Sequence, residues 1–257
     1  MARRREKGPM FWRVAIATML VGVFGLFAFI AFNRPPPLEI ATGCRQDKRD
    51  PAHTVMLIDQ SDPFNTRDFG WVEGFMESEA RRLPKYGRLT VVTPSTQNPF
   101  DPPDVFVMCS PGSADKANPI LENPRMIDDN WREGFFSPLK TAMDGVLADK
   151  SASNSPLFEA VYAIGDRADF QSSVDNRRLI IVSDLMQHSD AFSLYRSKTD
   201  WDAYQSSTLS SQTPQLSGVD VVARIVPRQR YDLPLDELKA FWSQYFTGTG
   251  AAFRPVN

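Results

Sequence analysis

The sequence predicts an α/β domain that follows one transmembrane helix. The domain is expected to contain a Rossmann-like sheet of about five or six strands, mostly parallel with an antiparallel edge strand, flanked by helices. Three observations lead to this prediction. Residues 14–32 form a run of nineteen residues without a charge. Short apolar segments ending beside an acid, at residues 53–59 and 178–184, are typical of buried parallel strands. Segments with apolar residues at helical spacing lie between them.

The apolar run at residues 14–32 is long enough to cross a bilayer. As a helix it would cover about 28 Å, close to the roughly 30 Å of the hydrocarbon core. Arg13 and Arg34 flank it. The alternative is a cleaved signal peptide, whose apolar region is usually roughly 7–15 residues long and ends at small residues. Because this run is longer and ends with the bulky Phe29 and Phe32, we predict an uncleaved anchor.

Charge is distributed unevenly along the chain. Residues 1–13 hold five basic residues and one acid, which predicts a cytoplasmic N-terminus and an extracytoplasmic body, periplasmic in a bacterium. The rest of the chain has 24 basic and 30 acidic residues. This mildly acidic body argues against nucleic acid as a partner. The two His and two Cys leave little material for zinc or iron–sulfur sites.

The remaining boundaries follow from composition. Residues 33–52, which contain three consecutive prolines at 35–37, are predicted to be a linker, and residues 53–257 the α/β domain. Only a proline-rich segment, residues 94–104, separates the second and third strands, so these should be antiparallel neighbours. The predicted strands are residues 53–59, 88–93, 105–109, 178–183 and 219–225; the predicted helices are 66–83, 128–147, 155–164 and 235–246; residues 190–205 are ambiguous.

Polar residues follow two strands and open one helix, at the carboxyl edge where α/β sheets bind ligands. They are Asp59 and Ser61 after the first strand, Ser155 before a helix, and Asp184 after the fourth strand. Together they resemble the metal-ion-dependent adhesion site of the von Willebrand factor A family. That family has Asp-x-Ser-x-Ser, a Thr-Pro-Leu-like segment and a distal Asp at these places. The resemblance covers roughly residues 53–247, and Pro63 replaces the second serine.

Two interpretations of this site stay open. In the first, Asp59, Ser61, Ser155 and Asp184 hold Mg²⁺, directly or through water. In the second, the site is vestigial and binds no cofactor. Asp59 and Asp184 would then accept hydrogen bonds from loop amides, and Ser155 would cap the helix that Pro156 opens.

The predicted function is that of a membrane-anchored protein–protein interaction module. The resemblance implies that an acidic residue of the partner would complete the coordination of a bound metal. No GxxxxGK[ST], GxGxxG or GxSxG motif occurs in the sequence. One alternative is an extracytoplasmic hydrolase or phosphatase-like enzyme that uses Asp59 and His188. Another is a structural subunit of an envelope assembly.

The two cysteines are predicted to form a disulfide. If the third strand is antiparallel to the first, Cys109 ends at the edge where the first strand begins, and Cys44 precedes that start. An extracytoplasmic compartment would let the bond persist. The alternative is two unpaired thiols, with Cys109 buried as a small apolar residue.

Overall fold

The computed structural model describes residues 9–32, 34–61, 66–118, 122–148, 153–226 and 233–256. The chain forms two compact units, Met1–Pro37 and Leu38–Asn257. The first contains helix α1, Pro9–Phe32. Within it, Met10–Phe32 is long and apolar enough to cross a membrane, and none of it is buried inside the protein. The predicted apolar helix is therefore present.

The second unit is built on one sheet. In its described part, six strands lie in the order β3-β2-β1-β4-β5-β6. Strand β3 is antiparallel to β2, and the other neighbouring strands are parallel. The strands are β1 His53–Ile58, β2 Arg88–Val92, β3 Asp104–Cys109, β4 Arg177–Ser183, β5 Asp220–Ile225 and β6 Ala252–Val256. This mixed sheet with an antiparallel edge strand confirms the predicted fold class.

Helices cover both faces of the sheet. They are α2 Thr66–Arg82, α3 Pro124–Trp131, α4 Ser137–Ala148, α5 Leu157–Asp166, α6 Leu194–Ser197, α7 Trp201–Gln205 and α8 Leu235–Gly248. A π-helical turn, Arg132–Phe136, joins α3 to α4. The helix predicted over residues 128–147 therefore starts earlier, at Pro124, because the side chain of Asn123 caps it by accepting from the amide of Met126.

Alternate residues of the central strands contribute their side chains to two hydrophobic cores, one on each face of the sheet. Val55 and Leu57 of β1 point into a core that α5 and α8 cover. Met56 and Ile58 point into a second core, filled from α2, α3 and α4. In the first core the rings of Phe158 and Trp242 stack at 4.6 Å. The aromatic stripe of α8 is therefore buried, as its spacing predicts.

Strand β6 has no counterpart among the strands located from the sequence. Its five residues include Pro255, which lacks a backbone N–H and so weakens the strand pattern. The strand lies at the edge of the sheet, where a proline is tolerated. Phe253 fixes it by stacking on Phe246 of α8 at 4.8 Å.

The compact unit begins inside the predicted linker. Residues 33–52 were expected to be a spacer, but the second unit starts at Leu38. Leu38 pairs with Arg45 in an antiparallel bridge, and the amide of Cys109 donates to the carbonyl of Thr42 at 2.9 Å. Residues 38–45 thus belong to the second unit, where they form a turn attached to the end of β3.

The predicted disulfide between Cys44 and Cys109 is formed. The two Cα atoms are 4.8 Å apart, and both side chains are buried. The antiparallel direction of β3 is the reason for this proximity. It brings Cys109 to the amino ends of the parallel strands, opposite Arg88 at the start of β2.

Candidate functional site

The carboxylate of Asp59 connects three segments at the carboxyl ends of the strands. Asp59 follows β1, and its side chain is only 5% exposed. Its Oδ2 accepts hydrogen bonds from the hydroxyls of Ser155, at 2.9 Å, and Ser183, at 2.7 Å. Its Oδ1 accepts from the amide of Ser61 at 2.9 Å. We call Asp59, Ser155 and Ser183 the strand-end triad.

Ser183 is the member of the triad that the sequence analysis missed. It is the last residue of β4, the neighbour of β1 in the sheet. Ile58 pairs with Val182, so the next residues, Asp59 and Ser183, lie side by side. The sequence carried no local signal for this contact, because it depends on the pairing of β4 beside β1 in the assembled sheet.

Ser155 takes a different role from the helix cap considered above. Helix α5 begins at Leu157, and no side chain caps it at Pro156. The hydroxyl of Ser155 donates to Asp59 instead, and its backbone exchanges two hydrogen bonds of 2.8 Å with His188. Ser155 thus ties the start of α5 both to β1 and to the loop after β4.

Asp184 stabilises the turn that follows β4. It is 6% exposed, and its Oδ1 accepts from the amide of Met186 at 2.9 Å. Between them Leu185 adopts a left-handed conformation with φ of 65°. The carbonyl of Leu185 accepts the indole N–H of Trp242 at 2.9 Å, which couples the turn to α8. The predicted hydrogen bonds from loop amides are present at both Asp59 and Asp184.

A buried amide extends the network under the loops. Gln187 is fully buried, and its Oε1 accepts the backbone N–H of Phe158 at 2.9 Å. Its Nε2 donates to Glu159 at 3.1 Å and to the hydroxyl of Ser189 at 3.1 Å. Buried polar groups that are hydrogen-bonded in this way fix a single arrangement of the loops. No sequence motif marked Gln187.

The two histidines occupy opposite ends of the sheet. His188 lies 2.9 Å from the hydroxyl of Ser193 through Nδ1, and its ring meets that of Tyr195 edge to face at 5.3 Å. His53 starts β1 and is fully buried. It donates through Nδ1 to the carbonyl of Asp169, at 2.9 Å, and Nε2 accepts from Thr90, at 2.9 Å. Burial lowers the pKa of His53.

Several of the oxygens proposed for Mg²⁺ already have partners within the protein. Both carboxylate oxygens of Asp59 accept hydrogen bonds, and one of the donors is the hydroxyl of Ser155. Within the described residues, no group of three or more His, Cys, Asp or Glu side chains converges. Asp62 and Pro63 lie outside the described residues. A cation would have to share Asp59 with these donors, and metal binding stays a prediction.

The second unit is an α/β domain whose mixed sheet has the antiparallel edge strand that the resemblance to the von Willebrand factor A family implies, and an apolar N-terminal helix precedes it in the chain. Neither a family model nor a curated protein matches the chain.

Three solved structures are partly similar to the chain. The conserved hypothetical protein BatB from Bacteroides thetaiotaomicron is 8% identical over 80% of this chain and 90% of that one, with a TM-score of 0.43. An aerotolerance-related membrane protein from Bacteroides fragilis is 10% identical over 80% and 92%, with a TM-score of 0.37. The pilus adhesin SpaC from Lactobacillus rhamnosus GG is 10% identical over 84% of this chain and 29% of its own length, with a TM-score of 0.44. These identities and TM-scores are too low to establish the family or the function of the chain.

Proposed function

We propose that the chain is a single-pass, membrane-anchored protein whose α/β unit binds a protein partner outside the cytoplasm. The observation that carries this proposal is the strand-end triad. A buried carboxylate bonded to serines from two other segments holds three loops in one arrangement. A surface fixed before binding loses little conformational freedom when a partner docks.

Exposed aromatic residues at the same end of the sheet supply the expected contacts. Tyr195, which packs against His188, is 50% exposed. Phe100 follows β2, the parallel neighbour of β1, and is 44% exposed beside Tyr162. Aromatic side chains of this kind frequently dominate binding energy at protein interfaces. We therefore assign Tyr195 and Phe100 to the partner surface.

The extracytoplasmic location rests on two independent features. The five basic residues before the apolar helix favour a cytoplasmic N-terminus. The disulfide between Cys44 and Cys109 suits an oxidising compartment on the other side of the membrane. In this proposal α1 remains attached as the anchor.

In this proposal the triad stabilises the loops without a cofactor, because groups of the protein already donate hydrogen bonds to Asp59. In the alternative form of the proposal, Mg²⁺ is bound by Asp59, Ser61, Ser155 and Asp184, and an acidic residue of the partner completes its coordination. A hydrolytic role for His188 has less support. The hydroxyl at its Nδ1 belongs to Ser193, which is 1% exposed and so is shielded from substrate.

Affinity capture from detergent-solubilised membranes tests the proposed surface. The full chain should retain a partner that Tyr195→Ala and Phe100→Ala release. The matched control is Met126→Ala, since Met126 is 57% exposed on α3 and is not among the strand-end loops. Equal retention by the wild type and both aromatic variants would contradict the assignment of this surface.

A further inference from the structure

We propose that residues 38–45, the disulfide-linked turn, dock into the membrane interface, with Ile40 as their apolar tip. The partner is the lipid bilayer itself. This inference rests on the membrane anchoring proposed above and adds a second, reversible contact with the same membrane. It concerns the amino ends of the strands and does not involve the strand-end triad.

The turn is held rigidly in the compact unit. The amide of Glu39 donates to the carbonyl of Cys44 at 2.8 Å, and the amide of Gly43 donates to that of Glu39 at 2.9 Å. Gly43 has a φ of 66°, which a glycine adopts without strain. The disulfide then fixes Cys44 to β3. The position of residue 40 is therefore set by the fold.

Ile40 projects from this turn without any cover. Its relative exposure is 105%, the highest among the large apolar residues of the chain that the structure describes. Leu38 beside it is 39% exposed. A rigid turn that presents a branched aliphatic side chain wholly to water would gain from an apolar environment. Acyl chains just below the headgroups provide one.

The chain itself keeps the turn near the bilayer. Leu38 follows Phe32, the last residue of α1, by six positions. Even when fully extended, a segment of that length spans only about 20 Å. Three consecutive prolines in it restrict the chain further. The turn therefore samples the membrane surface continuously, at a high effective concentration.

The charge around the turn favours lipid headgroups. Residues 34–49 contain four basic side chains and two acids. One acid, Asp47, is paired with Arg45, and this hydrogen bond lowers the pKa of Asp47 to about 2. Lys48 and Arg49 are exposed. An apolar tip with basic neighbours gains from burial among acyl chains and from attraction to the phosphates of the headgroups.

Spin labelling of the full chain in lipid nanodiscs tests this contact. A nitroxide is attached to Ala41→Cys, and collision rates are measured with oxygen and with a water-soluble nickel complex. Gln97→Cys, on the exposed connection between β2 and β3, serves as the aqueous reference. Val23→Cys, inside α1, serves as the hydrocarbon reference. The native cysteines do not react because they are joined.

The label at residue 41 should favour oxygen over nickel, as at residue 23 and unlike residue 97. Adding Ile40→Asp should reduce the docked population by about tenfold, since the apolar contact is lost. Nickel access at residue 41 equal to that at residue 97, unchanged by Ile40→Asp, would overturn the docking proposal alone. Nickel access at residue 23 would overturn the membrane anchoring, and the docking with it.

Discussion

Replacing Asp59 with alanine should destabilise the α/β unit substantially. The substitution leaves the hydroxyls of Ser155 and Ser183, each 2% exposed, without their common acceptor. Each buried polar group left unpaired costs about 1–3 kcal/mol. The amide of Ser61 also loses its acceptor. Removing the desolvated charge offsets part of this loss, so we expect about 3 kcal/mol less stability.

Related variants separate the charge of Asp59 from its hydrogen bonds. Asp59→Asn keeps one oxygen acceptor and should cost about 1 kcal/mol less than Asp59→Ala. Ser155→Ala should cost about 1 kcal/mol, because the carboxylate keeps its other donors. Ser183→Ala should cost about 2 kcal/mol, because the buried amide of Leu185 also loses its acceptor, the hydroxyl of Ser183. Asp101→Ala is the matched control. It removes an exposed loop carboxylate and should change stability by no more than about 0.5 kcal/mol.

Urea unfolding of the full chain in mild detergent, followed by tryptophan fluorescence, measures these differences. The urea midpoint should be highest for Asp101→Ala, lower for the two serine variants and lowest for Asp59→Ala. An Asp59→Ala midpoint equal to or above that of the wild type would refute the reasoning. The carboxylate would then contribute nothing to holding the loops, and the strand-end triad would need another explanation.

Four further predictions concern topology, the disulfide, metal and pH. An alkaline phosphatase reporter fused after Asn257 should be active, and inactivity would contradict the orientation. The double variant Cys44→Ser, Cys109→Ser should lose about 4 kcal/mol of stability, measured by urea unfolding, because the bond closes a loop of this length. Millimolar Mg²⁺ should leave the melting temperature unchanged relative to chelator; a rise abolished by Asp59→Ala would instead support the metal site. The free energy of unfolding should fall as the pH drops below 6.5, because the pKa of His53 is lower in the folded chain and the unfolded chain therefore takes up the proton first. The fall should be smaller in His53→Gln. An equal fall in both proteins would exclude His53 as its cause.

Most of the fold could be predicted because its signals are local. The apolar strands, the amphipathic α2 and the proline-rich connection before β3 each depend on a few neighbouring residues. The disulfide between Cys44 and Cys109 followed once the direction of β3 was known. Strand β6 could not be found in this way, because Pro255 interrupts the pattern and its pairing with β5 is non-local.

The candidate site was only partly predictable, for a different reason. Asp59, Ser61, Ser155 and Asp184 could be named because they follow strands or open a helix. The roles of Ser183 and Gln187 depend on register and on side-chain directions in the assembled sheet. Ser155 shows the same limit. Its local sequence favours a helix cap, but tertiary structure offers its hydroxyl a charged acceptor in Asp59.

The strand order has a consequence for biosynthesis. Strands β1, β2 and β3 are consecutive in the chain and adjacent in the sheet, and β4, β5 and β6 then extend the opposite side. Both cysteines of the disulfide belong to the part made first, separated by 65 positions. The bond can therefore close while the second half of the chain is still being synthesised. Strands β4, β5 and β6 would then extend the sheet from β1, while the disulfide already links the segment before β1 to the end of β3.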